Sequence, residues 1–315
     1  MEKNLTKVYV GVDISKKWLD VHCNPINKTM HISNDVKGIT GLLQELSRYD
    51  VMQVVFESSG GYEFFLHQML NKAGYNTWQV DPSRVKAFRI SEGIKVKTDA
   101  YDAKILSLFA ANKKRTYKPK KASEKMNKLY ALIKRRADLT TIAANEKKRL
   151  NHPQQQYCRE IIKKHIAFIK EQIEAVDKEI NEIIDKDGEL KRKKEIITSI
   201  PGVGDTTAAS LIASIPELGT IKNNQVAALL GVAPYQNQSG MYVGIAHIRG
   251  GRFAPRQMVY MAALTASRCN EIFAAFYKRL LAVGKKPKVA LVAVMRKIII
   301  TLNAMIRRNE LWKIV

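Results

Sequence analysis

Two short apolar runs that each stop on a carboxylate constrain this chain more than any other feature. Val8-Tyr9-Val10-Gly11-Val12 stops at Asp13, and Val54-Val55-Phe56 stops at Glu57. Runs so short and so rich in β-branched residues predict buried strands, whose side chains alternate between two faces. An acid just past the last buried residue of a strand is fixed in direction yet open to water. A second acidic pair, Asp99 and Asp102, stands at an expected helix start in Lys97-Thr98-Asp99-Ala100-Tyr101-Asp102-Ala103. Residues three apart share a helix face. Any one of these acids has an ordinary reading as a solvated strand end, or as a helix cap for Asp99. Together they form a cluster that repels itself unless it holds cations, and hard oxygen donors favour Mg²⁺ or Mn²⁺.

The acidic cluster sits in a basic chain. The net charge is +24 over 315 residues, and its distribution is uneven: residues 1–111 carry +2, residues 112–194 carry +12 and residues 195–315 carry +10. Such an excess calls for a polyanion, and nucleic acid fits better than a membrane surface. No amphipathic anchor or lipidation motif is visible, and the start Met1-Glu2-Lys3-Asn4 lacks a signal-peptide core. The apolar stretch Val289 to Ile306 contains Arg296 and Lys297 and reads as a packed helix rather than a span. Cys23, Cys158 and Cys269 are scattered, with no CxxC pair and no zinc spacing. Reduced thiols and a cytoplasmic, nucleoid-associated protein are the expectation.

The order of elements gives the domains. Strand signals at Val8–Asp13, Trp18–Asn24, Lys28–Ile32, Val51–Glu57 and Asn76–Val80 are interleaved with helical spacing at Val36–Leu46 and Tyr62–Leu70. Asp81-Pro82-Ser83 opens a further helix, with Asp81 as N-cap. Residues 122–187 hold no glycine and one proline, Pro153. Leu129, Leu132, Ile133, Leu139 and Ile142 form one stripe; Ile162, Ile166, Ile169, Ile173, Val176, Ile180 and Ile183 form another. Two long helices broken near Asn151-His152-Pro153 make an antiparallel hairpin, whose stripe needs a partner surface in the same chain or in a second copy. The expected class is therefore α/β plus all-α. The parts are an α/β domain over 1–115, a coiled-coil hairpin over 116–192 and a mostly helical domain over 193–315.

In the last third, Ile200-Pro201-Gly202-Val203-Gly204 followed by a small-residue helix resembles a helix-hairpin-helix. There Gly202 and Gly204 would let backbone N–H groups approach a phosphate; a ligand-free helix–helix turn has the same dipeptides. A helix ends at Gly231, a polar loop runs to Gly240, and three helices follow from Arg256, divided near Asn270 and at Gly284–Pro287. Ser239 lies between Pro234 and a basic run bearing Arg249, Arg252 and Arg256. Those arginines could hold a phosphodiester, but a serine beside a glycine is by itself an ordinary turn residue. Gly11-Val12-Asp13-Ile14-Ser15-Lys16 also suits the first phosphate loop of actin-like sugar kinases, a reading that leaves Asp99 and Asp102 unexplained.

Taken in order, Val10-Gly11-Val12-Asp13, Phe56-Glu57-Ser58-Ser59-Gly60-Gly61-Tyr62, Lys97-Thr98-Asp99-Ala100-Tyr101-Asp102-Ala103, Ile200-Pro201-Gly202-Val203-Gly204, Leu230-Gly231-Val232-Ala233-Pro234 and Ser239-Gly240 span nearly the whole chain. The set resembles the DEDD transposases of bacterial insertion sequences, relatives of the Piv-type invertases. The resemblance implies an RNase H-like (RuvC-like) N-terminal domain, a coiled-coil hairpin and a C-terminal transposase domain with a serine nucleophile. It assigns Mg²⁺ or Mn²⁺ to Asp13, Glu57, Asp99 and Asp102, and nucleophilic attack to Ser239. It implies double-stranded donor and target DNA, a structured bridge RNA that guides recombination, and action as a dimer or tetramer. Gly202, Gly204, Arg249, Arg252 and Arg256 are then the candidate backbone contacts. The stretch Gly244-Ile245-Ala246-His247-Ile248-Arg249-Gly250-Gly251 departs from the more basic, glycine-rich run expected there.

Overall fold

In a computed structural model of the chain, the described residues are 5–94, 99–113, 123–236, 238–239, 242–244 and 246–313; for Asp99, Ala100, Tyr242 and Val243 this covers the backbone alone. The chain divides into two compact units, Met1–Lys121 and Ala122–Val315.

The first unit runs β1 (Lys7–Ile14), β2 (Trp18–Asn24), β3 (Lys28–Ser33), α1 (Val36–Leu46), β4 (Asp50–Glu57), α2 (Phe64–Lys72), β5 (Thr77–Val80), α3 (Pro82–Ser91) and α4 (Asp99–Asn112). The strands form one sheet in the order β3-β2-β1-β4-β5. The first three make an antiparallel meander, and β4 and β5 add in parallel beside β1. This mixed sheet with its helices is the RNase H-like pattern that the sequence predicts. Parallel neighbours need crossover helices, which is why helical segments separate β4 from β5. Asp35 caps α1 by accepting from the Gly38 N–H at 2.8 Å. Asp81 caps α3 in the same way through the Ser83 N–H at 2.8 Å, with Pro82 in the first turn.

Alternation along the strands sorts the unit into two layers. Val8, Val10 and Val12 of β1 and Val54 and Phe56 of β4 pack with Ile39, Leu42 and Leu46 of α1 and Leu66 and Leu70 of α2. On the other face, Val55, Trp78 and Val80 pack with Val85 and Phe88 of α3 and Ile105, Leu106 and Phe109 of α4. Asp13 shares the parity of Gly11, and Glu57 that of Val55, so both acids belong to the α3/α4 side. The β1–β4 register pairs Val12 with Phe56. The next residue on each strand is the acid, so Asp13 and Glu57 leave the sheet side by side.

The second unit opens with α5 (Glu124–Leu150), a six-residue 3-10 segment (Pro153–Cys158) and α6 (Arg159–Asp185). At 1.5 Å per residue each 27-residue helix is about 40 Å long. The predicted hairpin is formed: Leu139, Ala143 and Ile169 pack in its seam, and Arg136 Nη2 donates to Asp177 at 3.0 Å. Its base, through Leu129, Ile180 and Ile184, enters a larger helical core. That core is built from α7 (Gly188–Thr198), α8 (Asp205–Ser214), α9 (Asn223–Leu230), α10 (Phe253–Cys269), α11 (Glu271–Ala282) and α12 (Pro287–Arg308). Between α9 and α10 lie four two-residue strands, β6 (Pro234–Tyr235), β7 (Gln238–Ser239), β8 (Tyr242–Val243) and β9 (His247–Ile248). By length and composition alone α12 is apolar enough to cross a membrane, so its two central charges do not decide the matter as the sequence argument held. Its burial does: Ala290, Val294, Ile298, Ile299 and Leu302 are fully buried in the unit's core.

The acid-bearing face depends on one close approach. A Cβ on Gly11 would stand 2.2 Å from the Ala103 carbonyl oxygen and 2.3 Å from the Ser107 nitrogen, so α4 lies directly on the β1 backbone. Beside this seat the buried His22 Nδ1 and Ser107 Oγ are 2.8 Å apart. Ser107 Oγ donates to the Lys104 carbonyl at 2.7 Å, so the imidazole N–H is the donor to the serine. Gly11→Ala therefore forces α4 outward. We expect a loss of about 1–3 kcal/mol in urea unfolding; a variant as stable as the parent would show that α4 does not need this contact.

Candidate functional site

The C-terminal ends of β1, β4 and β5 and the start of α4 converge on one edge of the first unit. Asp13 and Glu57 come from the strands, and Asp102 from the first turn of α4, whose first residue is Asp99. All three described carboxylates are partly buried. Burial first, then the charges of Asp13 and Asp102, push the Glu57 carboxyl above its usual range; the Arg89 guanidinium opposes them, and Asp81 adds to the rise. The structure thus brings Asp13, Glu57 and Asp102 within electrostatic reach of one another. The side chain of Asp99 lies outside the described residues; its backbone stands one helical turn before Asp102.

The donor chemistry fits a hard divalent cation: only carboxylate oxygens, mutually repulsive, at the rim of a sheet. Among the described residues, however, no three His, Cys, Asp or Glu side chains are grouped closely enough to hold an ion as they stand.

Two residues that sequence reasoning did not assign to this site stand in it. Arg89 Nη1 lies 3.5 Å from Asp102 Oδ1. Asp81, read only as a cap, also contributes to the negative field at Glu57. A signal existed: Asp81, Val85 and Arg89 recur at four-residue spacing on one face of α3, and Val85 is buried under the sheet.

In the second unit Ser239 is exposed on β7 and pairs across the strand with Tyr242 of β8. Asn237, Gly240 and Met241 beside it lie outside the described residues. β6 pairs with β9, Tyr235 opposite His247. The three arginines have different settings. Arg249 stacks its guanidinium on Tyr235, 4.7 Å from the ring centre, and is exposed. Arg256 Nη1 donates to the Gly250 carbonyl at 2.7 Å, and its guanidinium lies 5.8 Å from the Phe253 ring centre. Arg252 is occupied internally. Its Nη1 donates to Glu217 Oε2 and to the Ser214 carbonyl, each at 2.7 Å, and its Nη2 donates to Glu217 Oε1 at 2.7 Å. Glu217 is buried; burial pushes its carboxyl up, but the Arg252 hydrogen bonds and charge outweigh that and hold it below the usual range. Arg252 thus anchors the end of the strand-bearing loop to the last residue of α8 and to Glu217, which together take up one edge of its guanidinium.

The turn between α7 and α8 has the expected helix–turn–helix form. Gly202 has φ +96°, and a Cβ there would meet the Ala266 backbone of α10 at 2.7 Å. The close approach at its missing side chain is to a helix of its own unit. Gly204, at the N-terminus of α8, faces open space.

Comparison with known proteins agrees along the chain. Residues 10–158 match the profile of a transposase family, the DEDD transposases of IS110, and residues 194–278 match that of the transposase IS116/IS110/IS902 family. The pilin gene-inverting protein of Moraxella bovis is 26% identical over 324 aligned residues, covering 97% of this chain and 98% of that protein. The Moraxella lacunata protein of the same name is 26% identical with the same coverage. An uncharacterized 43.6 kDa protein of insertion element IS110 from Streptomyces coelicolor is 28% identical over 150 residues, 47% of this chain and 36% of that one.

The crowding at Glu57 has a signed consequence. Because its folded carboxyl holds the proton more tightly than the unfolded chain does, the stability linked to it is fully present below the ordinary glutamate range. It is lost as pH rises through the raised value. Glu57→Gln should therefore melt at a higher temperature than the parent at neutral pH in EDTA, and the gain should vanish below about pH 4. A Glu57→Gln protein that melts lower at neutral pH would contradict this electrostatic picture.

Proposed function

The chain belongs to the IS116/IS110/IS902 family of transposases, and on that footing we propose that it recombines DNA by forming and resolving a covalent bond between Ser239 and a DNA phosphate, assisted by Asp13, Glu57, Asp99 and Asp102. As a transposase it acts on DNA. The observation that carries the finer reading is the convergence of acids from two strand ends and a helix start on one edge of the first unit. Members of DEDD families are typically metal-dependent. Mg²⁺ or Mn²⁺ held by those four carboxylates would supply Lewis-acid stabilisation of charge on a phosphate.

The residues of the chain divide the rest of the work. The Ser239 oxygen attacks phosphorus, a serine–phosphate ester forms, and the bond to one deoxyribose oxygen breaks. That oxygen leaves as a hydroxyl, the serine proton balancing it. The reverse attack by a sugar hydroxyl rejoins a strand and frees the serine, so no nucleotide triphosphate is consumed. The exposed Arg249 would contact the DNA backbone near the serine. The Moraxella relatives are named for inverting a gene, an outcome that needs cutting and rejoining, and this favours a recombinase over a nuclease that only cuts.

The domain division follows the same reading: a metal-dependent domain over 1–115, a hairpin over 116–192 and a serine-bearing domain over 193–315. The hairpin segment carries a net +7 and leaves Ile142, Tyr157, Ile161 and Phe168 exposed. Charge of that density suits a structured bridge RNA, whose pairing with donor and target DNA would supply sequence specificity. The apolar residues suit packing against a second copy, as a dimer or tetramer.

The test combines protein, candidate RNA from the element's non-coding end, labelled DNA and Mg²⁺. We expect a denaturation-resistant protein–DNA adduct. Ser239→Ala should abolish the adduct and strand exchange while leaving DNA binding intact. Asp102→Asn should lower the rate by a factor on the order of 10² or more, the scale of losing one transition-state contact. Continued cutting by Ser239→Ala would point instead to a nuclease. Unchanged behaviour of both variants would point to a protein that binds nucleic acid without reacting.

A further inference from the structure

Arg89 is held more loosely than Arg252 and Arg84. Arg252 makes three contacts of 2.7 Å in a fork around Glu217 and a carbonyl, the pattern of a structural clamp. Arg84, on the same helix as Arg89, lies over Trp78 at 5.0 Å and over Phe109 at 5.9 Å, so its planar group is taken up by stacking. Arg89 has one ion pair, Nη1 to Asp102 Oδ1 at 3.5 Å, and its side chain is 24% exposed. Charge-assisted hydrogen bonds between guanidinium and carboxylate close to about 2.7–2.9 Å. At 3.5 Å this is a loose electrostatic pairing, and among the described residues no hydrogen bond uses the remaining donors.

The position of this group is specific. Arg89 is carried by α3 to the edge where Asp13, Glu57 and Asp102 gather, and its charge is felt at Glu57 as well as at Asp102. A DNA phosphate brought to that edge meets carboxylates that repel it. A fork of N–H donors beside them would hold a non-bridging oxygen directly and orient the phosphate. We propose that Arg89 is a substrate-binding residue of the acidic site, pairing loosely with Asp102 in the protein alone and donating to a non-bridging oxygen of the reacting DNA phosphate when that carboxylate serves a divalent cation. The proposal rests on the reading of the acidic edge as the phosphoryl-transfer site.

The test uses the full chain carrying Ser239→Ala, so that no strand is cut, with a short DNA duplex as probe in Ca²⁺ or in EDTA. Each phosphate contact contributes about 0.9 to the slope of log affinity against log salt. In Ca²⁺ the slope for Arg89→Gln should be shallower than for Arg89 by about one contact, and in EDTA the two should coincide. Arg89→Lys, which keeps the charge and loses the fork, should fall between them. Arg84→Gln should match the parent in both conditions. An Arg89→Gln slope equal to the parent's in Ca²⁺, or a loss that Arg84→Gln shares, overturns the assignment. Titration with Mn²⁺ alone, read by electron paramagnetic resonance, gives the second arm. Arg89→Gln should bind Mn²⁺ at least as tightly as the parent; weaker binding would make Arg89 a support of the metal ligands and overturn its role toward the phosphate. A parent that binds no Mn²⁺, or binds it equally well after Asp102→Asn, refutes the reading of the acidic edge itself, before any DNA is added.

Discussion

The contact of α4 with Gly11 is the constraint on which the acidic edge depends. A helix that rests on a strand through side chains sits about 10 Å from the sheet, far enough that short side chains on the two do not meet. Here the strand offers no side chain at the crossing, and the helix backbone descends onto it. That descent brings the first turn of α4, with Asp102, down toward the ends of β1 and β4. Carboxylates with one or two methylenes can then share a field with Asp13 and Glu57. The buried pairing of His22 with Ser107 fixes the same helix along its axis. Site and fold are thus one problem: the residue that lets the helix approach stands two positions before the acid it serves.

That crowding gives the fold a standing electrostatic cost. Residues 1–111 are nearly neutral overall, yet Asp13, Asp81 and Asp102 all act on Glu57 at one edge, and its carboxyl is pushed up by these neighbours. A core built for stability alone would separate these groups. Strain of this kind is expected where a site is organised to act on something brought from outside. The remaining two thirds of the chain carry nearly all of the positive excess, arranged on helices whose apolar seams are filled. The crowded acids and the positive excess thus lie in different stretches of the sequence.

How much of this could be read in advance follows from how local each signal is. The strands of the first unit, the hairpin and the three closing helices are written in periodicity over many residues; the strand bounds agree with the structure to within a residue, while the hairpin helices run 124–185 and α10 begins at Phe253 rather than Arg256. The acids were legible because each sits at the end of such a run, where alternation decides its face. The strands β6 to β9 were not, since two residues cannot display a period, and the stretch containing them was read as a loop. Arg252 looked like a phosphate contact because its partner, Glu217, lies 35 residues away and nothing local announces it. Gly202 was read as leaving room for a phosphate, whereas the neighbour that needs the room is Ala266. In each case the missing information was tertiary: which distant group fills the space beside a residue.

The arginines make the same point in energetic terms. A guanidinium is worth most where its donors meet a fixed acceptor in a site shielded from water, and its sequence neighbourhood does not say whether that acceptor is internal or external. Arg252 meets a buried carboxylate whose ionisation it supports, so moving it to a ligand would strand that charge at a cost of several kcal/mol. Arg89 faces a carboxylate that is a quarter exposed, across a gap too long for a strong hydrogen bond, so little opposes its departure. The stronger the internal partner, the less available the arginine, and of the two Arg252 is the more firmly held.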